Sequence, residues 1–377
     1  MWKEKRNRLL RNYSNNFTDI IFQEVYGAMG RLLDGKWVTH DEGADAQGRF
    51  VRRVTQFRNQ VPSEGFPVEA GRYRLFVGLA CGWSHRTLLV RAMKGLEDVI
   101  PITITDPYMG ENGWTIQKGV TADVLYGANK VDGNSNGNKS HNGDDNGGKK
   151  DVCIKALSEL YVLAKPDYTG RASVPVLWDM KKGTIVNNES SDIVQIFAKQ
   201  FDSLATRTCD ILPEGMEESI NEMIQVNYDA ISNGVYKCGF ASSQQAYTEA
   251  AVALFSRLDE LELLFSRQRY LMGNDHLTLA DLCLFPPIYR FDQVYHTHFK
   301  CNKKHVYEYP NLWGWARDMY QTPGVKDTCN MEQIKEHYYT SHESIHPRRY
   351  VPIGPTVDFD EPHGRDTKDY GAKKMKT

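Results

Sequence analysis

The chain has no long apolar run. No segment approaches the ~18–20 uninterrupted apolar residues that a membrane-spanning helix needs, so no membrane partner is expected. Net charge is nearly absent, −2 from 46 basic and 48 acidic side chains, which removes the electrostatic footprint of a nucleic-acid or membrane-surface binder. A signal-peptide core is lacking too, because the opening MWKEKRNRLLRNYSNNF is basic and polar. There is no disulfide pattern. The seven cysteines, Cys81, Cys153, Cys209, Cys238, Cys283, Cys301 and Cys329, are odd in number and scattered through 377 residues, unlike the framework of a small secreted domain. Together these absences lead to an expected cytoplasmic, reducing location. The basic N-terminal residues leave an organelle address open.

One cysteine stands in a distinctive setting. In RYRLFVGLACGWSHRTLLVRAM, residues 72–93, a β-rich apolar run ends at Cys81 and a helix-forming run begins within three residues. A thiol at a strand-to-helix junction sits where backbone N–H groups and the helix dipole favour a thiolate. A buried core cysteine is the alternative, and the junction favours the reactive reading. The position where a dithiol motif would carry its second cysteine is Ser84. A lone thiolate that forms a mixed disulfide needs an outside thiol to release it. The abundant intracellular thiol is glutathione.

The chain divides by pattern. Residues 1–70 read as an N-terminal arm with short helical pieces that wraps over the next domain. Residues 71–205 read as β-α-β-α-β-β-α, interrupted at about 127–150 by an Asn/Gly/Asp/Lys-rich insertion too polar to bury. Within this region CIKALSELYVLA is expected to be helical, and SVPVLWD and GTIVNN to pair as a hairpin. Residues 211–340 read as helix throughout, and 341–377 as an extended, partly disordered tail. The expected fold class is therefore α+β followed by all-α: two domains with a cleft between them.

Three further features belong to this cleft or its frame. Pro175 opens a strand, where a proline cannot donate to the ladder. In a thioredoxin-like domain a cis proline here turns the N–H and C=O of Val174 toward the active site, although an ordinary strand-start proline fits as well. Glu189 and Ser190 stand at a helix N-terminus that can bind a group carrying both carboxylate and ammonium, or can be plain capping residues. Thr278 and Asp281 in TLAD form a capping box worth ~1 kcal/mol. The run His296-Thr297-His298-Phe299-Lys300-Cys301 has no second ligand pair at regular spacing, and no metal is expected there.

Several segments resemble the Xi-class glutathione transferases, the glutathionyl-hydroquinone reductases. They include AGRYRLFVGLACGWSHRTLLVRAMKGLEDVIP, GENGW, SVPVLWD, IVNNESSDI, NGVYKCGFA, LTLADLCLFP, RFDQVYHTHFKCN, YPNLWGWARDMYQ and VPIGP, within about residues 66–355. NGVYKCGFA, HFKCN and NLWGWARDMY are particular to that class. The resemblance implies a thioredoxin-like N-terminal domain, a helical C-terminal domain, glutathione as co-substrate without a metal, aromatic hydroquinone conjugates as substrates, and a homodimer. It makes Cys81 the catalytic cysteine. Trp114, Val174 with cis Pro175, Glu189 and Ser190 become glutathione binders, and Tyr236 and Tyr295 face the hydroquinone. One position departs from the family: Gly82 replaces the proline that usually follows the cysteine, which restores an N–H and loosens the turn. A general thiol transferase or dehydroascorbate reductase, or a non-enzymatic carrier of aromatic ligands, would use the same cleft and stays open from the residues alone.

Overall fold

The computed structural model describes residues 30–39, 44–52, 54–127, 152–368 and 370. The start of the arm, where helical pieces are expected, lies outside the described residues. The described part opens with a hairpin, β1 (Arg31–Leu33) and β2 (Lys36–Val38). The turn is Asp34-Gly35, both with positive φ, at 47° and 74°, a pair that suits a two-residue hairpin turn. Leu32 pairs with Gly170 through two backbone bonds of 2.8 and 2.9 Å.

The next domain is built on β3 (Tyr73–Val77), α1 (Gly82–Met93), β4 (Ile102–Ile104), β5 (Thr115–Thr121), α2 (Ala122–Tyr126), β6 (Cys153–Ala156), α3 (Leu157–Ala164), β7 (Val176–Asp179), β8 (Thr184–Asn187) and α4 (Ser190–Gln195). Its central sheet has the order β4-β3-β7-β8, with β3 and β4 parallel and the other pairs antiparallel. This is the thioredoxin-like arrangement. Side chains alternate across it, as the two-residue period of a strand requires. Leu75, Val77 and Leu177 face one core, shared with α1 and the helical domain. Phe76 and Trp178 face a second core with Leu32, Trp114 and Tyr161.

One expectation needs correction here. The run CIKALSELYVLA is not one helix: Cys153–Ala156 is a strand paired antiparallel with β5, and the helix starts at Leu157. Pairing decides it, because Val120 and Thr121 offer open partners to Ile154 and Cys153, and tertiary context overrides local helix preference. The insertion, apart from Gly127, lies outside the described residues, between α2 and β6 of this added hairpin.

The second domain is helical: α5 (Glu217–Asn227), α6 (Gly234–Gly239), α7 (Gln244–Arg267), α8 (Leu279–Arg290), α9 (Pro310–Gln321) and α10 (Met331–Ser341). Helix α7 starts at Ser243, whose hydroxyl accepts from the Ala246 N–H at 3.2 Å. It buries Leu254, Leu258, Leu261 and Phe265, a stripe spaced by three and four residues. Helix α8 is buried along all twelve residues and packs against α1. The expected box at its start is present, and Asp281 reaches further than a cap. Its carboxylate accepts from the Thr278 N–H (3.0 Å), the Leu271 N–H (2.9 Å) and Trp315 Nε1 (3.1 Å). A π turn, Phe291–Tyr295, carries the chain on from Arg290.

The described residues after α10 form no helix or strand and are pinned. Arg365 is 3 % exposed and donates to the carbonyls of Phe265, Gln268, Arg269 and Asn311 at 2.8–3.2 Å.

Candidate functional site

Cys81 is the N-cap of α1, extended at φ −74° and ψ 123°, half-buried, with Sγ 3.7 Å from the Val174 carbonyl. The first N–H groups of a helix have no partner inside it, and here they begin directly after the thiol. Ser84 is fully buried and its hydroxyl accepts from the Gly78 N–H at 3.3 Å, bracing the strand-to-helix turn. Elsewhere, burial pushes the thiols of Cys209, Cys283, Cys301 and Cys329 up, the last to about 12. Cys153, expected in a helix or loop, lies in β6.

Cys81 opens into a cavity of about 400 Å³ between the domains, whose wall includes Trp83, Trp114, Val174, Tyr236 and Tyr338. The Val174–Pro175 bond is cis. Val174 precedes the first ladder pair of its strand, Val176 with Phe76, so its polar groups are not committed to the sheet. Trp114 stacks on His337 at 4.7 Å between centroids.

Glu189 is the N-cap of α4 and accepts from the Ser191 N–H at 3.2 Å. Thr55 donates to its other oxygen at 3.2 Å. Burial pushes its carboxyl up, but Arg52, the Ser191 N–H, Arg86 and Thr55 together outweigh that and hold it below its ordinary value. The Ser190 hydroxyl accepts from Arg86 at 2.6 Å. Pro175, Glu189 and Ser190 are set back from the cavity wall, whereas Arg52, Thr55 and Asn188 are part of it. Arg52 also lies 4.1 Å above the Trp83 ring, so the arm closes this end of the cavity.

Opposite stands a cluster of phenols. The Tyr236 hydroxyl is 2.6 Å from that of Tyr338, which is 3.1 Å from that of Tyr295. Burial pushes all three above the usual phenol value. Tyr236 faces the cavity. Tyr295 is 1 % exposed and lies one layer back, lining a smaller recess with Gly82, Trp83 and Tyr236. The cavity-facing partner that the sequence did not reveal is Tyr338, flanked by His337 and His342. The dense run HYYTSH was the available signal, but no spacing argument attaches a role to it. Burial keeps these imidazoles neutral: His337 is pushed down to about 4 and His342 lies well below its ordinary value. His298 Nε2 pairs with His342 Nδ1 at 3.0 Å, while His296 stacks on His305 at 3.5 Å. The two histidines of the HTH run thus take different partners, and among the described residues no three candidate ligands converge on a metal site.

The arrangement places a solvent-reachable thiol at the junction of a polar, helix-capped end and an aromatic, phenol-lined end. Against known proteins, the glutathione S-transferase N-terminal domain family matches residues 80–200 and the corresponding C-terminal domain family matches residues 244–318. The chain is similar to the glutathionyl-hydroquinone reductase YqjG of Escherichia coli, 42% identical over 355 residues, covering 90% of this chain and 99% of that protein. Among solved structures it is similar to a Xi-class glutathione transferase from Natrialba magadii, with a TM-score of 0.77 and 42% identity over 91% of this chain and 99% of that one. It is also similar to the glutathione-bound structure of YqjG, with a TM-score of 0.71 and 41% identity over 89% of this chain and 99% of that one.

Proposed function

The chain belongs to the Xi-class glutathione transferases, the glutathionyl-hydroquinone reductase family, and from that premise we propose that it uses glutathione to reduce glutathionyl-hydroquinones through Cys81. The observation that carries this reading is that Cys81 shares one cavity with Arg52, Thr55 and Asn188, which stand beside the Glu189/Ser190 helix end, and with the Tyr236–Tyr338 pair.

The glutathionyl part of the substrate lies along Val174 and Trp114, with its γ-glutamyl end toward Glu189 and Ser190. The Cys81 thiolate attacks the glutathionyl sulfur. An S–S bond forms as the aromatic C–S bond breaks, and the electron pair stays on the ring carbon, which takes a proton. The ring is reduced by two electrons while the two sulfurs are oxidised to a mixed disulfide. Tyr236 supplies the proton or orients the ring oxygen, held by Tyr338, with Tyr295 supporting Tyr338 from behind. Burial keeps Tyr236 protonated near neutral pH, as an acid must be. A glutathione thiolate then attacks the glutathionyl sulfur of the mixed disulfide, releasing glutathione disulfide and restoring Cys81. No step calls on a metal.

Gly82 fits this chemistry. A Cβ there would meet the Tyr295 hydroxyl at 3.8 Å and Arg290 Nε at 3.9 Å, ordinary contacts. Position N1 of a helix accepts proline or its absence, so the departure alters stiffness and leaves the geometry of the turn in place.

Cytoplasmic location and a homodimer complete the proposal. Free cysteines at all seven positions suit a glutathione-rich compartment, and no described helix is long and apolar enough to cross a membrane. The test is turnover of a synthetic glutathionyl-hydroquinone with glutathione. Wild type should release hydroquinone and Cys81→Ser should not; equal turnover by both would sink the mechanism. Light scattering on the purified chain reads the dimer.

A further inference from the structure

Arg290, the last residue of α8, is 0 % exposed. Its guanidinium donates to four neutral acceptors: Nε to the Ala80 carbonyl at 3.1 Å, Nη2 to the Leu79 carbonyl at 3.2 Å, and Nη1 to the Pro286 carbonyl at 3.1 Å and to His85 Nδ1 at 2.8 Å. Among the described residues no carboxylate lies within 4.0 Å of it. Other buried arginines of this chain are different. Arg72 meets Asp179 at 2.6 Å, Arg86 has Glu189 at 3.6 Å and Arg365 has Asp318 at 3.8 Å.

A guanidinium stays charged in a protein interior, and a buried charge without a counter-charge is costly. The place of this one is specific. Leu79 and Ala80 are the two residues before Cys81, and a Cβ on Gly82, directly after it, would stand 3.9 Å from Arg290 Nε. The fork therefore holds the two carbonyls that lead into the cysteine and passes beside the residue that follows it.

The other titratable groups packed around it bring no competing negative charge at neutral pH. From α1, His85 is kept neutral by burial and by Arg290 itself, and Arg86 turns away to Ser190 and Glu189. Cys329, behind His85, stays a thiol. Tyr236, Tyr295 and Tyr338 stay phenols and His337 stays neutral. Glu189 is engaged by Arg52, Arg86 and its own cap.

We propose that Arg290 is the positioning residue and internal counter-charge of the Cys81 thiolate. It fixes the carbonyls that lead into the cysteine and supplies a permanent positive charge which the thiolate balances. The proposal rests on the reading of Cys81 as the nucleophile.

The test follows alkylation of Cys81 by iodoacetamide against pH, read by peptide mass spectrometry, in wild type, Arg290→Met and Arg290→Lys. In the Met variant the midpoint should rise by about one pH unit, so that alkylation on the acid side slows about tenfold while the alkaline plateau is kept. The Lys variant, which keeps the charge and loses the fork, should shift less. A purely structural role would change the plateau or the stability and leave the midpoint in place; an unmoved midpoint in a folded Met variant overturns the proposal. A second measurement needs no Arg290 variant. The guanidinium ¹⁵N signals of Arg290 in wild type should titrate with the alkylation midpoint of Cys81 and lose that step in Cys81→Ser. Signals blind to Cys81 overturn the proposal. Turnover is read separately: a midpoint shift in a protein with no hydroquinone turnover would uphold Arg290 and refute the functional reading, and turnover with an unmoved midpoint would do the reverse.

Discussion

Replacing Tyr236 by Phe removes one oxygen from the centre of the proposed chemistry and little else. The hydroxyl makes a 2.6 Å bond to Tyr338. Tyr338 keeps its 3.1 Å bond to Tyr295, so no buried hydroxyl is orphaned, and the stability cost should be about 1 kcal/mol, one ordinary hydrogen bond. The catalytic cost is larger if Tyr236 delivers the proton to the leaving ring. General acid catalysis contributes ~10²–10⁴-fold, or about 3–5 kcal/mol of barrier at ~1.36 kcal/mol per tenfold. The loss should appear in kcat more than in KM, since the glutathionyl end is held elsewhere. The assay is stopped-flow release of hydroquinone from a glutathionyl-hydroquinone, run beside reduction of a small mixed disulfide. Disulfide exchange protonates no ring carbon and should stay within about threefold of wild type. Because burial lifts the phenol above its ordinary 10.0, the wild-type rate should show no tyrosine-linked fall as pH rises through the neutral range. If Tyr236→Phe releases hydroquinone at the wild-type rate, the proton does not come through Tyr236.

Two other substitutions probe the frame of the site. Gly82→Pro should fold, gain about 0.4–1 kcal/mol in thermal unfolding through a stiffer unfolded chain, and keep turnover within about fivefold; a collapse of stability would mean that the Gly82 N–H has a partner the turn depends on. Glu189→Gln should raise KM for glutathione by about tenfold with kcat little changed, read by initial rates. The sign for pH follows from the depressed carboxyl of Glu189: its charge is present above the ordinary carboxylate range and is lost only as pH falls through the lowered value. Glutathione affinity of the wild type, measured by calorimetry, should therefore be flat from about pH 8 to pH 5, and a fall within that range would count against Glu189 as the binder.

The parts of the site that could be read from sequence are those written in contiguous residues. Cys81 announces itself by standing between an apolar run and a helix start, whereas Pro175 shows by itself only a strand start, and its cis bond is what a thioredoxin-like domain implies. The helical domain was readable because Leu254, Leu258, Leu261 and Phe265 repeat at helical spacing. Asp34-Gly35 is a further local signal, a two-residue hairpin turn. Cys153–Ala156 carries no such mark, because four residues before a helix look helical until a partner strand claims them. What sequence could not convey is meeting at a distance. Arg290 reaches His85 across 205 residues, and Tyr338 reaches Tyr236 across 102. No local pattern marks either, and only the packing of α8 and α10 against the first domain brings them to the cysteine. Tyr295 shows the same limit from the other side, since its motif placed it in the cleft while packing sets it one layer behind.

The central claim is a covalent intermediate at one atom. One equivalent of glutathionyl-hydroquinone is mixed with the wild-type protein in the absence of free glutathione, and the quenched protein is analysed by peptide mass spectrometry. The account predicts one hydroquinone released per chain and one glutathionyl group in disulfide linkage on Cys81, discharged when glutathione is added. Hydroquinone released with no adduct on Cys81, or with the adduct on another cysteine, would contradict it.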